Sequence, residues 1–223
     1  MSLTMTETNN FTVNDLNRVR RLAYRGHYDR ATIYPIVDEA LICHVGFVQD
    51  GQAIVIPTIH ARVDDTIYLH GAPASRLLKL TAAGEKLCIT CTLLDGLVLA
   101  RSAFHSSMNY RSAVLFGTGR LVTDYDEQWL VMEAITEHVA KGRWADVRRA
   151  TDKEMQSTKF VAVDIETASA KVRTGPPGDD EEDYALPIWA GVLPLMLTPS
   201  APIDDPRLIA GVTAPQNVSE YRR

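Results

Sequence analysis

The sequence predicts a mainly β protein, built as a closed antiparallel barrel with helices inserted between some of its strands. Six or seven segments are rich in apolar and β-forming residues, and four of these strands are joined by tight turns. The chain has 223 residues, of which 46% are apolar, so it can bury one sizeable core. These features are typical of an antiparallel barrel that carries a few helices.

The first half of the chain contains a basic arm, two helices and three strands. Asp29 is a candidate N-cap, and residues 49–52 and 63–66 are turn signals between strands. Ser75 is a candidate N-cap for a second helix, which Gly84 would end. The predicted elements are a helical arm at 14–26, a helix at 29–40, strands at 41–47, 53–62 and 67–70, and a helix at 75–84.

The second half alternates long strands with helices. Asp95-Gly96 is a hairpin signal, and Thr151 and Glu154 have the spacing of a capping box. The Pro/Gly turn and acidic run at 175–183 are typical of a solvated loop. The predicted elements are strands at 86–94, 97–105 and 109–123, an amphipathic helix at 126–141, a short helix opened by the capping box, and a strand at 160–171.

Composition limits the domains and the partners. We expect an N-terminal arm (1–28), one barrel domain (29–174) and a C-terminal extension (175–223). The net charge of −5, without a basic stripe, argues against nucleic-acid binding. The longest apolar runs are far shorter than the roughly 18 residues of a membrane span, and the polar N-terminus shows no secretion signal. We therefore expect a cytoplasmic protein that binds neither nucleic acid nor membranes.

Cys88 and Cys91 form a C-x-x-C pair, which raises a redox or zinc-binding interpretation. Their segment is rich in β-formers, however, and residues three apart on a strand point to opposite faces. No second cysteine pair, and no histidine spacing typical of a metal site, completes a ligand set. The pattern favours two small buried strand residues, and we expect no metal site here.

The first candidate for chemistry is the strand–turn–helix segment 68–79. Arg76 lies in the first turn of the predicted helix, where a cation is unfavourable unless an anion binds beside it. Lys79 follows three residues later on the same side. Together with Ser75, these cations suit a phosphate monoester. The alternative is a surface helix with ordinary charges.

The second candidate is the polar segment 104–112, at the junction of two predicted strands. Ser107, Arg111 and Ser112 are among the side chains that could donate to a phosphate or to the edge of a heteroaromatic ring. The alternative is a hydrogen-bonded corner of the barrel. His70 ends the strand that leads to the first candidate, and the alternative for it is a satisfied histidine at the barrel rim.

The chain resembles the flavin-nucleotide-binding split barrels related to pyridoxamine 5′-phosphate oxidase, and within them the nitroimidazole-reductase type. The resemblance spans about residues 40 to 195 and rests on the order and spacing of several stretches. They are Ala53-Ile-Val-Ile-Pro-Thr-Ile-His60, Ile67-Tyr-Leu-His-Gly71, Ser75-Arg76, His105-Ser-Ser-Met-Asn-Tyr-Arg-Ser112 with Gly117, 169–178, and Trp189-Ala-Gly-Val-Leu-Pro194. The fold that this implies is an FMN-binding split β-barrel of antiparallel Greek-key type.

The resemblance implies an FMN site at the interface of a homodimer, with the C-terminal extension packed on the barrel or on the partner. Pro57 and Thr58 would lie along the isoalloxazine ring, and Ser75 and Arg76 would grip the phosphate. Leu77 replaces the lysine that follows in the oxidase, so Lys79 would supply that charge. The remaining residues assigned to the cofactor are His70, Ser107, Arg111, Ser112 and, covering the ring from the partner subunit, Trp189.

The sequence differs from that of the oxidase at positions that determine which reaction to expect. The arginine and histidine of its vitamin site have no counterpart near Trp189, so pyridoxal-phosphate synthesis is not expected. We expect an FMN-dependent oxidoreductase that passes electrons from a reduced nicotinamide to a small electron-poor acceptor. Arg62 or Arg111 would stabilise the anionic reduced flavin, and no catalytic residue is named. The alternatives are a non-catalytic FMN- or haem-binding module, with His70 or His60 as axial ligand, and a domain that has lost its cofactor.

Overall fold

The structure, a computed structural model, describes residues 9–222. Residues 1–8, which form most of the polar N-terminus, lie outside the described part. The strands are β1 Gly26–His27, β2 Cys43–Gln49, β3 Gln52–Thr58, β4 Ala61–Val63, β5 Thr66–Gly71, β6 Lys86–Leu99, β7 Ser107–Leu121, β8 Lys159–Arg173 and β9 Gly191–Pro194. The α-helices are α1 Arg30–Glu39, α2 Arg76–Ala82, α3 Tyr125–Val139, α4 Arg143–Asp146, α5 Asp152–Gln156 and α6 Gln216–Ser219, and single 3-10 turns lie at Ala23–Arg25 and Glu181–Ala185.

All strands belong to one antiparallel sheet, so the predicted mainly β class with helical additions is confirmed. The strand order is β3-β2-β6-β7-β8-β5-β4, with β1 paired to β8 and β9 paired to β6. Residues from both ends of this path, such as Ile56 in β3 and Leu69 in β5, pack into the same hydrophobic cluster. The sheet therefore curls around one main core, as a barrel does.

The helices cover the two sides of the curled sheet. Leu77 and Leu78 of α2 pack into the main core, together with Ile33 and Val37 of α1. On the opposite face of β5 and β8, α3 and α5 cover a second, smaller cluster that contains Phe160. Among residues 9–222, no helix combines the length and the apolar character that crossing a membrane requires.

Local sequence signals account for several elements. The Asp29 side chain accepts a hydrogen bond from the Thr32 N–H at 2.7 Å, which confirms the N-cap of α1. The turn at 49–52 is a tight hairpin, in which Asp50 and Gly51 have φ values of 51° and 75°. The capping box predicted at Thr151 is also present and opens α5.

The predicted hairpin at Asp95-Gly96 is wrong. β6 continues to Leu99, with a register shift between Leu94 and Gly96. A Cβ added to Gly96 would lie 3.0 Å from the carbonyl oxygen of Leu193, so this glycine permits the close approach of β9. The chain turns between β6 and β7 at 100–106 instead.

Two other predicted elements are also corrected. The strand at 53–62 is split, because β3 pairs with β2 whereas β4 pairs with β5. Most of the arm at 14–26 is irregular and not helical. The Asn14 side chain accepts hydrogen bonds from the backbone N–H groups of Leu16 and Asn17, which competes with helix formation.

Candidate functional site

The phosphate-binding segment predicted at 75–79 forms the start of α2. Ser75 occupies the N-cap position, but its side chain makes no capping hydrogen bond. Arg76 and Lys79 are exposed, and within residues 9–222 neither has a carboxylate at ion-pair distance. The Arg76 guanidinium lies 5.9 Å from the centroid of the Phe47 ring in β2. The structure therefore presents two cations and a hydroxyl in one turn, and no carboxylate of residues 9–222 forms an ion pair with either cation.

Gly119 fixes the position of α2 on the barrel. A Cβ at Gly119 of β7 would lie 2.4 Å from the carbonyl oxygen of Thr81, which is buried on the inner side of α2. The Gly119 N–H also donates to the carbonyl of Glu85, just beyond the helix. The backbone of α2 therefore rests directly on a strand, which gives Arg76 and Lys79 a rigid base.

His70 lies in β5, on the sheet face covered by α3 and α5. It is paired in register with Phe160 of the second cluster, and its Nδ1 is buried without a hydrogen-bond partner among residues 9–222. Burial lowers the pKa of His70, which keeps the imidazole neutral near pH 7. His60, by contrast, is fully buried, and its Nε2 lies 3.0 Å from the carbonyl oxygen of Val37.

Arg111 and Ser112 are neighbours in sequence but lie on opposite faces of β7. The guanidinium of Arg111 is held by Glu39, with Nη2 at 2.8 Å from Oε1, and by Asp95, with Nη2 at 2.8 Å from Oδ1. The Ser112 hydroxyl donates to the carbonyl of Lys171 on the other face. The two side chains therefore cannot contact the same face of a planar ligand.

Arg62, the other cation considered for the reduced flavin, is also paired. Its Nε and Nη2 donate to the carboxylate of Asp38 at 2.9 Å and 2.6 Å. Both of these arginines thus have their charge opposed by carboxylates of the chain, unlike Arg76 and Lys79.

The remaining predicted contacts lie at or near the ends of strands. Pro57 and Thr58 end β3, an edge strand, where the missing N–H of proline is tolerated. Ser107 begins β7 opposite Val98, which also pairs with β9. Trp189 lies just before β9 and is 67% exposed, so its ring is open to a partner. The structure brings Ser107 and the Trp189 segment to the same end of β6, away from α2.

The acidic loop is more than a solvated segment. Asp179 accepts hydrogen bonds from the Arg101 backbone N–H and from Nη1, both at 2.9 Å, and its side chain has no solvent exposure. His105 Nε2 lies 3.1 Å from the Asp180 carboxylate. These contacts hold the C-terminal extension against the 100–106 connection. The sequence shows the charged residues but does not indicate that they pair across this distance.

The two cysteines of the C-x-x-C pair point to different faces of β6. Cys91 is buried and Cys88 is half-buried on the opposite face of β6, as the strand period predicts. Burial raises the pKa of both thiols, so they stay protonated and unreactive at neutral pH. No group of three or more potential metal ligands is found within the described residues.

Comparison with known proteins decides the family. A family model described as pyridoxamine 5′-phosphate oxidase matches residues 29–172, well over half of the chain. The chain belongs to this family. The resemblance stated from the sequence is thereby confirmed, whereas a search of curated proteins found no match.

Solved structures in the same fold extend this assignment. The chain is 38% identical to the flavocytochrome Anf3 from Azotobacter vinelandii, with 94% of this chain and 97% of that one covered and a TM-score of 0.87. It is 35% identical to an FAD- and haem-binding protein from Mycobacterium smegmatis (88% and 96% covered, TM-score 0.84). A candidate 5-nitroimidazole antibiotic resistance protein from Bacteroides thetaiotaomicron VPI-5482 is 26% identical (66% and 86% covered, TM-score 0.56).

Proposed function

We propose that this protein is an FMN-dependent oxidoreductase, which passes electrons from a reduced nicotinamide through the flavin to a small electron-poor acceptor. The observation that carries this proposal is a pair of exposed cations, Arg76 and Lys79, which have no ion pair within residues 9–222 and lie beside Ser75, whose side chain makes no capping hydrogen bond. They lie where the family resemblance assigns the FMN phosphate. The two neighbours at 38% and 35% identity, a flavocytochrome and an FAD- and haem-binding protein, support a flavin nucleotide.

The chain's own residues would bind and orient the cofactor. The flavin, when bound, supplies the redox chemistry. Arg76 and Lys79 would hold its phosphate through charge-assisted hydrogen bonds, because both are unpaired cations on the rigid base of Gly119. The edge of β3 at Pro57 and Thr58 would line the ring. No side chain is assigned as a general acid.

The proposal includes a homodimer. The chain has an accessible surface of 14349 Å², whereas a compact monomer of 24.7 kDa has roughly 10,000 Å². Large apolar side chains of the extension are exposed, among them Trp189, Met196, Leu197 and Ile203. A second copy would cover such side chains, and Trp189 would then cover the ring of the partner's flavin. Light scattering after size exclusion tests the dimer.

The first test is an absorption spectrum of the purified protein before and after FMN is added and removed by desalting. Retained flavin bands support the proposal. Arg76→Ala should then weaken FMN binding by about 1.5–3 kcal/mol, which is the value of a hydrogen bond to a charged group. Arg207→Ala, a change at an arginine on the exposed extension, is the matched control. Equal FMN affinity in wild type and Arg76→Ala would refute the phosphate role.

A second candidate function is haem binding through His70. The buried, unpartnered Nδ1 and the lowered pKa of His70 provide a neutral imidazole, the form that ligates iron. His60 is the weaker candidate because its Nε2 is engaged inside the core. If haem binds there, the purified protein shows a Soret band that His70→Ala shifts or removes and that His60→Ala retains as long as the protein folds. An unchanged Soret band in His70→Ala would exclude this role.

A further inference from the structure

A cavity of about 300 Å³ lies between the N-terminal arm and the outer face of the barrel. Residues 16–21 form one wall, and Ser112, Val114, Ser169 and Lys171 of β7 and β8 form the other. We call it the arm pocket. Its volume is at the lower end of the range for small-molecule sites.

The arm is fixed in place by a buried asparagine. The Asn17 side chain is 2% exposed, and its Nδ2 donates to the Thr167 hydroxyl at 2.7 Å and to the carbonyl of Ala168 at 3.1 Å. The Val19 N–H donates to the Tyr28 hydroxyl at 3.0 Å. Removing either group would leave buried polar atoms unpaired, so the irregular arm keeps one position over the sheet.

The arm pocket concentrates positive charge in an acidic protein. Arg18, Arg20, Arg21 and Lys171 line it, and no lining residue carries a carboxylate. Arg20 pairs with the solvent-exposed Asp15, whereas the other three cations have no ion pair within residues 9–222. The chain as a whole has a net charge of −5, so these cations form a local positive excess, which attracts anions.

The arm pocket is separate from the cations of α2. Thr81 of α2 rests on Gly119, seven residues along β7 from Ser112, which corresponds to about 23 Å of strand. The strand alternation also places Ser112 and Val114 on the outer face, whereas Gly119 faces α2 and the core side. The arm itself lies outside residues 29–172, the part that the family model matches.

We propose that the arm pocket binds the diphosphate group of a dinucleotide. Three unpaired cations match a group that carries two or more negative charges, and guanidinium groups bind phosphate oxygens in a bidentate manner. Two compounds carry this group: a nicotinamide dinucleotide, and FAD, in which the diphosphate joins the FMN half to the adenylate half. A nicotinamide dinucleotide in the arm pocket is compatible with the phosphate role of Arg76, because different residues on a different face are involved. FAD in the arm pocket would exclude that role, because the FMN phosphate is one half of the FAD diphosphate.

The test uses the full chain, both as purified and after removal of any flavin, with inorganic pyrophosphate as the calorimetric probe. Arg18→Ala and Arg21→Ala should each raise the pyrophosphate Kd about tenfold or more. Arg25→Ala, on the same arm but outside the pocket, should leave the Kd unchanged. Melting curves check that every variant is folded. Absence of pyrophosphate binding in both forms, or equal Kd values in wild type and both pocket variants, would overturn the proposal.

Titrations with FMN, FAD and NADH then identify the source of the diphosphate. Weaker FAD binding with unchanged FMN binding in Arg18→Ala assigns the pocket to FAD. Weaker NADH binding with both flavins unchanged assigns it to the nicotinamide dinucleotide. If Arg18→Ala weakens FMN and FAD equally, or weakens none of the three ligands, the pocket does not bind a diphosphate and the proposal fails. Arg76→Ala, measured in parallel, reports independently on the α2 site.

Discussion

Replacing Gly119 by alanine tests whether α2 depends on direct contact between backbones. The added Cβ would lie 2.4 Å from the Thr81 carbonyl oxygen, 2.5 Å from its Cγ2 and 2.8 Å from its Cα. Ordinary contacts of this kind are about 3.5–4.0 Å, and two of the three atoms belong to the backbone. A rotamer change therefore cannot relieve the clash, and α2 must move outward by about 1 Å.

The expected loss of stability follows from this displacement. Overpacking a core costs about 1–3 kcal/mol, and a clash with backbone falls at the upper end. The smaller conformational entropy of unfolded alanine returns about 0.4–1 kcal/mol. The net loss is therefore about 2–2.6 kcal/mol, which corresponds to a decrease in Tm of about 4–10 °C for a domain of this size.

The assay is thermal unfolding followed by circular dichroism, with FMN affinity measured on the same samples. Gly178→Ala is the matched control, because a Cβ there meets no atom within 4 Å and its φ is not positive. We expect Gly119→Ala to lower both Tm and FMN affinity, since the helix that carries Arg76 shifts. A Tm within about 1 °C of that of Gly178→Ala would show that α2 is not seated on β7 as described.

Three further predictions concern stability. Thr151→Ala removes the capping box of α5 and should cost about 1 kcal/mol, visible as a small decrease in Tm; an unchanged Tm would contradict the cap. Burial, followed by hydrogen bonds to carboxylates, raises the pKa of Tyr34 and of Tyr68 to about 12. Their contribution to stability is present below pH 10 and is lost as pH rises towards 12, so urea midpoints should fall in that window, and less steeply in Tyr34→Phe. Burial lowers the pKa of His70 and so favours its neutral form. The stability that the folded protein has with a neutral His70 is therefore present above about pH 6.5 and is lost at lower pH. His70→Asn should reduce the decrease in urea midpoint at low pH. If the midpoints of wild type and His70→Asn fell in parallel with pH, His70 would not contribute to the acid sensitivity.

The elements predicted correctly depend on residues close in sequence. The Asp29 cap, the hairpin at 49–52 and the Thr151 capping box each involve partners within four residues. Their geometry is set by local backbone preferences, which a single sequence displays. The family was also within reach, because the motifs that carry the resemblance follow one another in a fixed order.

The errors occurred where distant contacts override a local signal. Asp95-Gly96 has the sequence of a hairpin, but the approach of β9 holds it inside a continuous strand. The segment 14–26 has the composition of a basic helix, yet Asn17 fixes it on the sheet through Thr167. The clustering of arginines in this arm was visible in the sequence, whereas the cavity beneath it depends on β7 and β8.

One feature of the candidate site was already contained in the sequence. The two-residue period of a strand places Arg111 and Ser112 on opposite faces of β7, as the structure has them. The pairing of Arg111 with Glu39 and Asp95, by contrast, joins α1, β6 and β7 and could not be derived from spacing.

The pairing of β9 with β6 also covers a strand edge to which another molecule could add a strand. β2 pairs with β6 only at Cys88–Thr90, so the backbone of Gly96–Leu99 would otherwise be an open strand edge. Such edges template the addition of strands from other molecules. β9 occupies this edge within the same chain, and a protein cut before Gly191 would present it to solvent. The extension that carries Trp189 therefore also covers an edge of the barrel through which molecules could aggregate.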